Sequence, residues 1–240
     1  MRKIIFLLII TGLNANMSAQ FQDQRITEYD LQSFSTGEPT LLTNMDALYE
    51  GVKGTPYFIE DFKTGDIYFL DGTEIVQINI RYNIYKDELE FENSTSGMIF
   101  VIDRKRIKAF ALNESGDNMY FEYFNLKPDK PGEKSLVQVL NKGETRLLLK
   151  HKKLFIQADY KGAYSSGEKY DEFQNDKDYY LVKDNETIQR IRLNKKSVLK
   201  ALGHNQSVLK EFSLTKKIDF SNPGDIVKLL VFYDSQKKDL

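Results

Sequence analysis

Alternating apolar and polar positions, closely spaced turn residues and a late change to helical spacing predict a mainly β (α+β) protein. The expected form is antiparallel hairpins making a curved sheet or partly closed barrel, with two to three C-terminal helices. The alternation is clearest at residues 76–84. Val76, Ile78, Ile80, Tyr82 and Ile84 fall on one face of an extended strand, and Gln77, Asn79, Arg81, Asn83 and Tyr85 on the other. Turn formers then recur about every 8–12 residues. That spacing leaves no room for the helical crossovers a parallel sheet requires.

Residues 20–50 are polar with scattered apolar positions, and Asp46-Ala47-Leu48-Tyr49 fits a short helix or a lead-in strand. A strand at 66–70 is followed by Asp71-Gly72, a strong hairpin signal, and by the alternating strand. Lys86-Asp87 turns the chain into a short strand carrying Leu89 and Phe91, and the run NSTSG at 93–97 turns it again. Strands are expected at 98–102 and 107–112, with Asp103-Arg104-Lys105-Arg106 between them. Another is expected at 119–124, after the break Glu114-Ser115-Gly116-Asp117. The stretch KPDKPGEK at 127–134 holds two prolines and a glycine and cannot continue a central strand, so the body has its best candidate subdivision there. Beyond it, 136–140 and 145–150 flank Lys142-Gly143, 154–158 could extend the sheet, and 179–183 and 187–193 form a further pair.

From Lys195 the spacing is helical. Val198, Leu199 and Leu202 share a face, and Gly203 is a natural stop. Asn205 or Ser207 can cap a second helix bearing Val208, Leu209 and Phe212. Ser221-Asn222-Pro223 opens a third, with Ile226, Leu229, Leu230 and Tyr233 on its apolar face. The layout is therefore a β-rich body at 20–193 and a helical region at 194–240, preceded by residues 1–19.

Those first residues read as a secretory signal peptide: Arg2 and Lys3, the apolar run IIFLLII at 4–10, and a small-residue exit at Met17-Ser18-Ala19. The run is shorter than the ~20 residues of a membrane span, and no other window approaches one, so no transmembrane segment is expected in the mature chain. Export would place the protein in the periplasm or outside the cell, where it could associate peripherally with the envelope. Cysteine is absent, which removes disulfides, thiolate metal sites and a cysteine nucleophile; stability must come from core burial. The whole chain carries a formal charge of −1, but residues 20–180 carry −8 and residues 181–240 carry +5. The lysines of the tail are dispersed, as on exposed helix faces, and nucleic-acid binding fits poorly with an acidic body.

The segment Gly54-Thr55-Pro56-Tyr57, the stretch IRYNIYKDELEF at 80–91, KKSVLKAL at 195–202 and DIVKLLVFYD at 225–234 together resemble a group of exported, uncharacterised bacterial proteins with a β-rich body and a lysine-rich helical C-terminal region. The resemblance implies a secreted, periplasmic or surface-associated protein. It carries no known activity and transfers no functional residue.

The inventory for catalysis is thin. Two histidines, His151 and His204, lie far apart, and His151 sits among Lys150, Lys152 and Lys153, whose charges repel a cation. Asn175-Asp176-Lys177-Asp178 lacks the glycine and closing glutamate of a calcium loop and reads as a solvated acidic loop. No Gly-x-Ser-x-Gly occurs. Neither a metal nor another cofactor is expected. One segment, DYKGAYSSGEKYDEFQNDKDYY at 159–180, combines tyrosines with glycine, serine and acids, a mixture suited to recognition. Its Tyr160, Tyr164, Tyr170, Asp171, Phe173, Tyr179 and Tyr180 are the candidate ligand- or partner-binding residues; the competing reading is a hairpin whose tyrosines cover a sheet edge.

The leading expectation is an exported, non-catalytic binding or interaction protein of the bacterial cell envelope, whose partner is another envelope protein or a surface component. A carrier holding a small apolar ligand in a barrel cavity and a carboxylate-dependent hydrolase are the alternatives.

Overall fold

The computed structural model describes residues 31–41, 48–127, 134–159, 170–184, 187–203 and 206–237. Among them eleven strands form one antiparallel sheet: β1 (Ser35–Leu41), β2 (Lys63–Phe69), β3 (Glu74–Asn83), β4 (Glu88–Glu92), β5 (Met98–Ile102), β6 (Ile107–Glu114), β7 (Asp117–Phe124), β8 (Ser135–Val139), β9 (Arg146–Ile156), β10 (Glu172–Lys183) and β11 (Thr187–Ile191). Three helices follow, α1 (Lys195–Leu202), α2 (Gln206–Thr215) and α3 (Pro223–Lys237). Across the sheet the order is β1-β5-β4-β3-β2-β6-β7-β8-β9-β10-β11. The sheet is open, with β1 and β11 as its edges, and β7 and β8 pair directly on either side of residues 128–133. The signal-peptide reading falls on residues outside those described.

The connections require the sheet to curl. β5 and β6 stand four strand spacings apart in the order, about 19 Å if the sheet were flat. The link between Ile102 and Ile107 reaches at most about 17 Å when fully extended, and it is folded as a turn, Arg106 N donating to Asp103 O at 2.9 Å. The β1–β7 half therefore rolls around its own side chains. Phe69, Phe91, Phe110 and Phe121 fill that interior and are fully buried, each contributing roughly 1.5–3 kcal/mol. At Gly65 the roll is too tight for a side chain: a Cβ would stand 2.3 Å from the Ala111 carbonyl and 2.5 Å from Ile80 Cδ1.

β3 departs from simple alternation. Gly65 pairs with Ile78 and Ile67 with Ile75, so Val76 and Gln77 together oppose Asp66 as a bulge. Gln77 takes φ 57° and its N–H donates to Asp66 Oδ1 at 2.9 Å. The extra residue turns Val76 outward, 57% exposed, and Ile75 takes the buried place.

The helices cover the β9–β10 part of the sheet. Leu147, Leu181 and Ile191 meet Val198, Leu202, Leu209, Ile226, Leu229, Leu230 and Tyr233 in a second core. Asn194 caps α1 by accepting from Ser197 N at 2.9 Å, and Asn222 caps α3 by accepting from Gly224 N at 2.8 Å. Tyr233 Oη donates to Leu202 O at 3.1 Å, tying α3 to α1. On the opposite face Val137, Leu148 and Val182 form a smaller cluster.

Two expectations are corrected here. Residues 145–150 and 154–158 are not separate strands; β9 runs unbroken through His151-Lys152-Lys153. The run Asn175-Asp176-Lys177-Asp178 is not a solvated loop but the middle of β10. Both corrections have one cause. Asp176 pairs with Lys152 and Asp178 with Lys150 across the ladder, and Lys152 Nζ lies 3.0 Å from Asp178 and 2.5 Å from Asp176. Charges that look like loop composition in one strand are matched by opposite charges in the next.

Candidate functional site

A strap at 53–62 holds the far end of the curl. Lys53 bridges Glu172 in β10, with Lys53 N donating to Asp171 O at 2.8 Å, and Tyr57 bridges Asn83 in β3. Gly54 permits this approach: its φ is 78°, and a Cβ there would stand 2.8 Å from Phe173 O. The strap delivers Phe58 to the interior, its ring 5.1 Å from Phe121 and 4.7 Å from the His151 imidazole.

Beside this interior the sheet parts. β8 pairs with β7 from Ser135 to Gln138 but with β9 only at Gln138↔Leu149 and Val139↔Leu148. Beyond that neck β9 continues along β10 without β8, and a cleft of about 440 Å³ occupies the opening. Its walls come from four places: Lys134, Ser135 and Leu136 at the start of β8; Lys150, His151, Lys152, Lys153 and Leu154 of β9; Tyr82, Ile84 and Asp87 around the β3–β4 turn; and Arg104 from the β5–β6 turn.

Most polar groups in the cleft are engaged by neighbours. His151 Nε2 and Gln138 Oε1 are 2.8 Å apart across the neck. Burial, reinforced by Lys177 and Lys153, pulls the imidazole down to about 4, so the ring is neutral at pH 7 and donates this hydrogen bond to the amide oxygen. Asp87 receives the Tyr82 hydroxyl at 3.0 Å on Oδ1 and Arg104 at 2.8 Å on Oδ2. Burial raises its carboxyl above the usual range, opposed by Arg104, Tyr82 and Lys150. Burial and the same carboxylate push the Tyr82 and Tyr123 phenols up. Lys150 Nζ donates to Ser135 Oγ at 2.8 Å, and Arg104 Nη2 reaches Lys134 O at 3.5 Å. Burial lowers the Lys153 ammonium, opposed by Glu60.

A larger hollow of about 650 Å³ lies against β10, β11 and α1. In its wall Arg190 pairs with Asp178, and Ser197 Oγ accepts from the Arg192 backbone N–H at the start of α1. Among the described residues no group of three His, Cys, Asp or Glu side chains gathers to hold a metal ion. No described helix is long and apolar enough to cross a membrane.

The structure does not gather the aromatic residues singled out in the sequence. Tyr160 and Tyr164 lie outside the described residues. Tyr170 is 64% exposed. Asp171 fixes the local backbone, its carboxylate accepting from Ala158 N at 2.7 Å. Phe173 is buried among Tyr49, Tyr85 and Phe155. Tyr179 joins the helical core and Tyr180 the cluster on the other face, because adjacent strand residues point to opposite sides. Sequence pattern places the cleft residues in separate strands and turns and does not mark them as one site; His151 stands out only for the lysines beside it.

No protein-family model matches the chain, and no curated protein or solved structure is similar to it.

Proposed function

We propose that this is an exported, non-catalytic binding protein of the bacterial cell envelope, and that its ligand or partner group seats in the cleft where β8 leaves β9. The observation that carries the reading is the split itself: a polar opening beside an otherwise filled interior, walled by side chains from four separate parts of the chain. Binding rather than turnover is favoured by how the cleft's groups are committed. The neutral His151 is engaged by Gln138, Asp87 is shared by Tyr82 and Arg104, and the Ser135 hydroxyl bonds to a lysine ammonium, which cannot accept its proton. The phenylalanines that fill the curl argue against the apolar-ligand carrier. Export rests on the basic start and the apolar run at 4–10.

A photo-crosslinking residue placed at Leu154, 46% exposed on the cleft rim, and another at Val76 on the bulge test the reading in the cells that make the protein. A discrete adduct from the first position alone, recovered with the envelope fraction, is the expected result. Equal labelling from both positions, or recovery with the cytoplasm, would overturn it.

A further inference from the structure

Charge in the cleft is unbalanced. Among the described residues Arg104 is paired with Asp87, and Lys152 with Asp176 and Asp178, whereas Lys134, Lys150 and Lys153 have no carboxylate partner. Glu60 acts on Lys153 only as a more distant charge. Three of the cations converge on one short piece of chain. Lys134 itself begins it, Arg104 Nη2 reaches its carbonyl at 3.5 Å, and Lys150 Nζ holds the next residue's hydroxyl, Ser135 Oγ, at 2.8 Å. Among the described residues Asp87 is the one acid lining the cleft, and it is already drawn into this group by Arg104. One carboxylate thus lines the cleft with five cations, Arg104, Lys134, Lys150, Lys152 and Lys153, and the Ser135 hydroxyl lies beside three of them.

We infer that the cleft takes a doubly charged oxyanion, a phosphate or phosphate monoester, held by Lys134, Lys150 and Arg104 with Ser135 as a hydroxyl donor; the inference rests on the binding role proposed above. A dianion matches the surplus of charge better than a single carboxylate, and several donors around one point suit tetrahedral oxygens. Ser135 Oγ accepts from Lys150, so its own proton remains available to donate to the ligand. The same chemistry is offered by a free phosphate ester and by a lipid headgroup with a terminal phosphate.

The chain has only two histidines, so the ring signals of His151, assigned with a His204→Gln variant, report on the cleft by NMR. The probes are inorganic phosphate, glycerol 3-phosphate, vesicles of phosphatidic acid in phosphatidylcholine, and uncharged glycerol and maltose. Phosphate and glycerol 3-phosphate should shift His151 saturably, and Lys150→Gln should raise the midpoint about tenfold, the effect of losing one charge-assisted hydrogen bond. Lys134→Gln, at an exposed position where folding is not at stake, should weaken binding in the same direction. A response to vesicles but not to soluble phosphates supports the same site with the lipid as source. A response to glycerol or maltose but to no phosphate overturns the anion inference and leaves the binding reading standing. No response to any probe, or identical midpoints in wild type and both variants, overturns the inference as well.

Discussion

Replacing Arg81 by methionine should remove a large share of the protein's stability. Arg81 and Glu90 lie opposite each other on β3 and β4, 3% and 0% exposed. Arg81 Nε and Nη2 donate to Glu90 Oε2 at 3.0 and 2.9 Å, and Nη2 also reaches Tyr57 Oη at 3.0 Å. Nη1 donates to Glu60 O at 3.3 Å, and the guanidinium lies 3.8 Å from the Tyr57 ring centre and 4.5 Å from that of Phe62. One side chain therefore neutralises a buried acid and fastens the strap to the sheet. Breaking a buried pair from one side costs about 3–5 kcal/mol, because the remaining charge has lost its partner. For a chain of this size that is a fall in Tm of roughly 6–20 °C. Burial already lifts the Glu90 carboxyl above its ordinary value against the pull of Arg81. Without Arg81 it must rise further, so the variant's deficit should be greatest at pH 7 and shrink as pH falls and Glu90 protonates. Adding Glu90→Leu to Arg81→Met should restore most of the loss, since the buried charge is gone. Urea unfolding followed by circular dichroism at pH 7 and pH 5 measures all three effects. A loss below about 1 kcal/mol for Arg81→Met, or a double variant no more stable than the single one, would refute the reasoning.

Three further outcomes follow from the geometry. His151 has a folded pKa near 4 against an ordinary value of 6.5, so its contribution is complete above about pH 6.5 and is lost as pH falls toward 4; the total is at most ~3 kcal/mol, and His151→Gln should flatten that acid limb in urea unfolding. Gly65→Ala should destabilise by about 1–3 kcal/mol, read as a lowered urea midpoint, because its methyl meets the Ala111 carbonyl in the neighbouring strand. Val76→Thr, at an outward bulge position, should leave stability within about 0.5 kcal/mol, whereas Ile78→Thr, at a 7% exposed position directly after the bulge, should lower it clearly.

The contrast between Val76 and Ile78 marks how far the sequence could be read. Periodicity reports the face a residue occupies as long as the strand keeps one register, and the bulge at Gln77 breaks that condition with a polar residue at positive φ rather than with a glycine. The helices were legible in place, and α3 down to Ile226, Leu229, Leu230 and Tyr233 on its buried face, because helical pattern is local; in α2 the reading fails at Val208, which is 39% exposed, and at Ser207, which lies inside the helix and not at its cap. So were the hairpins whose turns announce themselves, such as Asn93, whose side chain accepts from the Thr95 and Ser96 amides. What stayed hidden depends on partners distant in the chain. β9 and β10 conceal their full length because Lys152 and the acids at 176 and 178 look soluble until they are set side by side. Arg81 sits on the polar stripe of its strand and becomes buried only because the strap from 53 to 62 folds across it. The cleft is of the same kind. It exists because β8 follows β7 and β9 follows β10, and the two pairs agree in direction over only two residues. A cleft produced by the failure of two strands to pair leaves no motif; its trace in the sequence is a few lysines and a single histidine. Their meaning depends on which side of the opening each one faces.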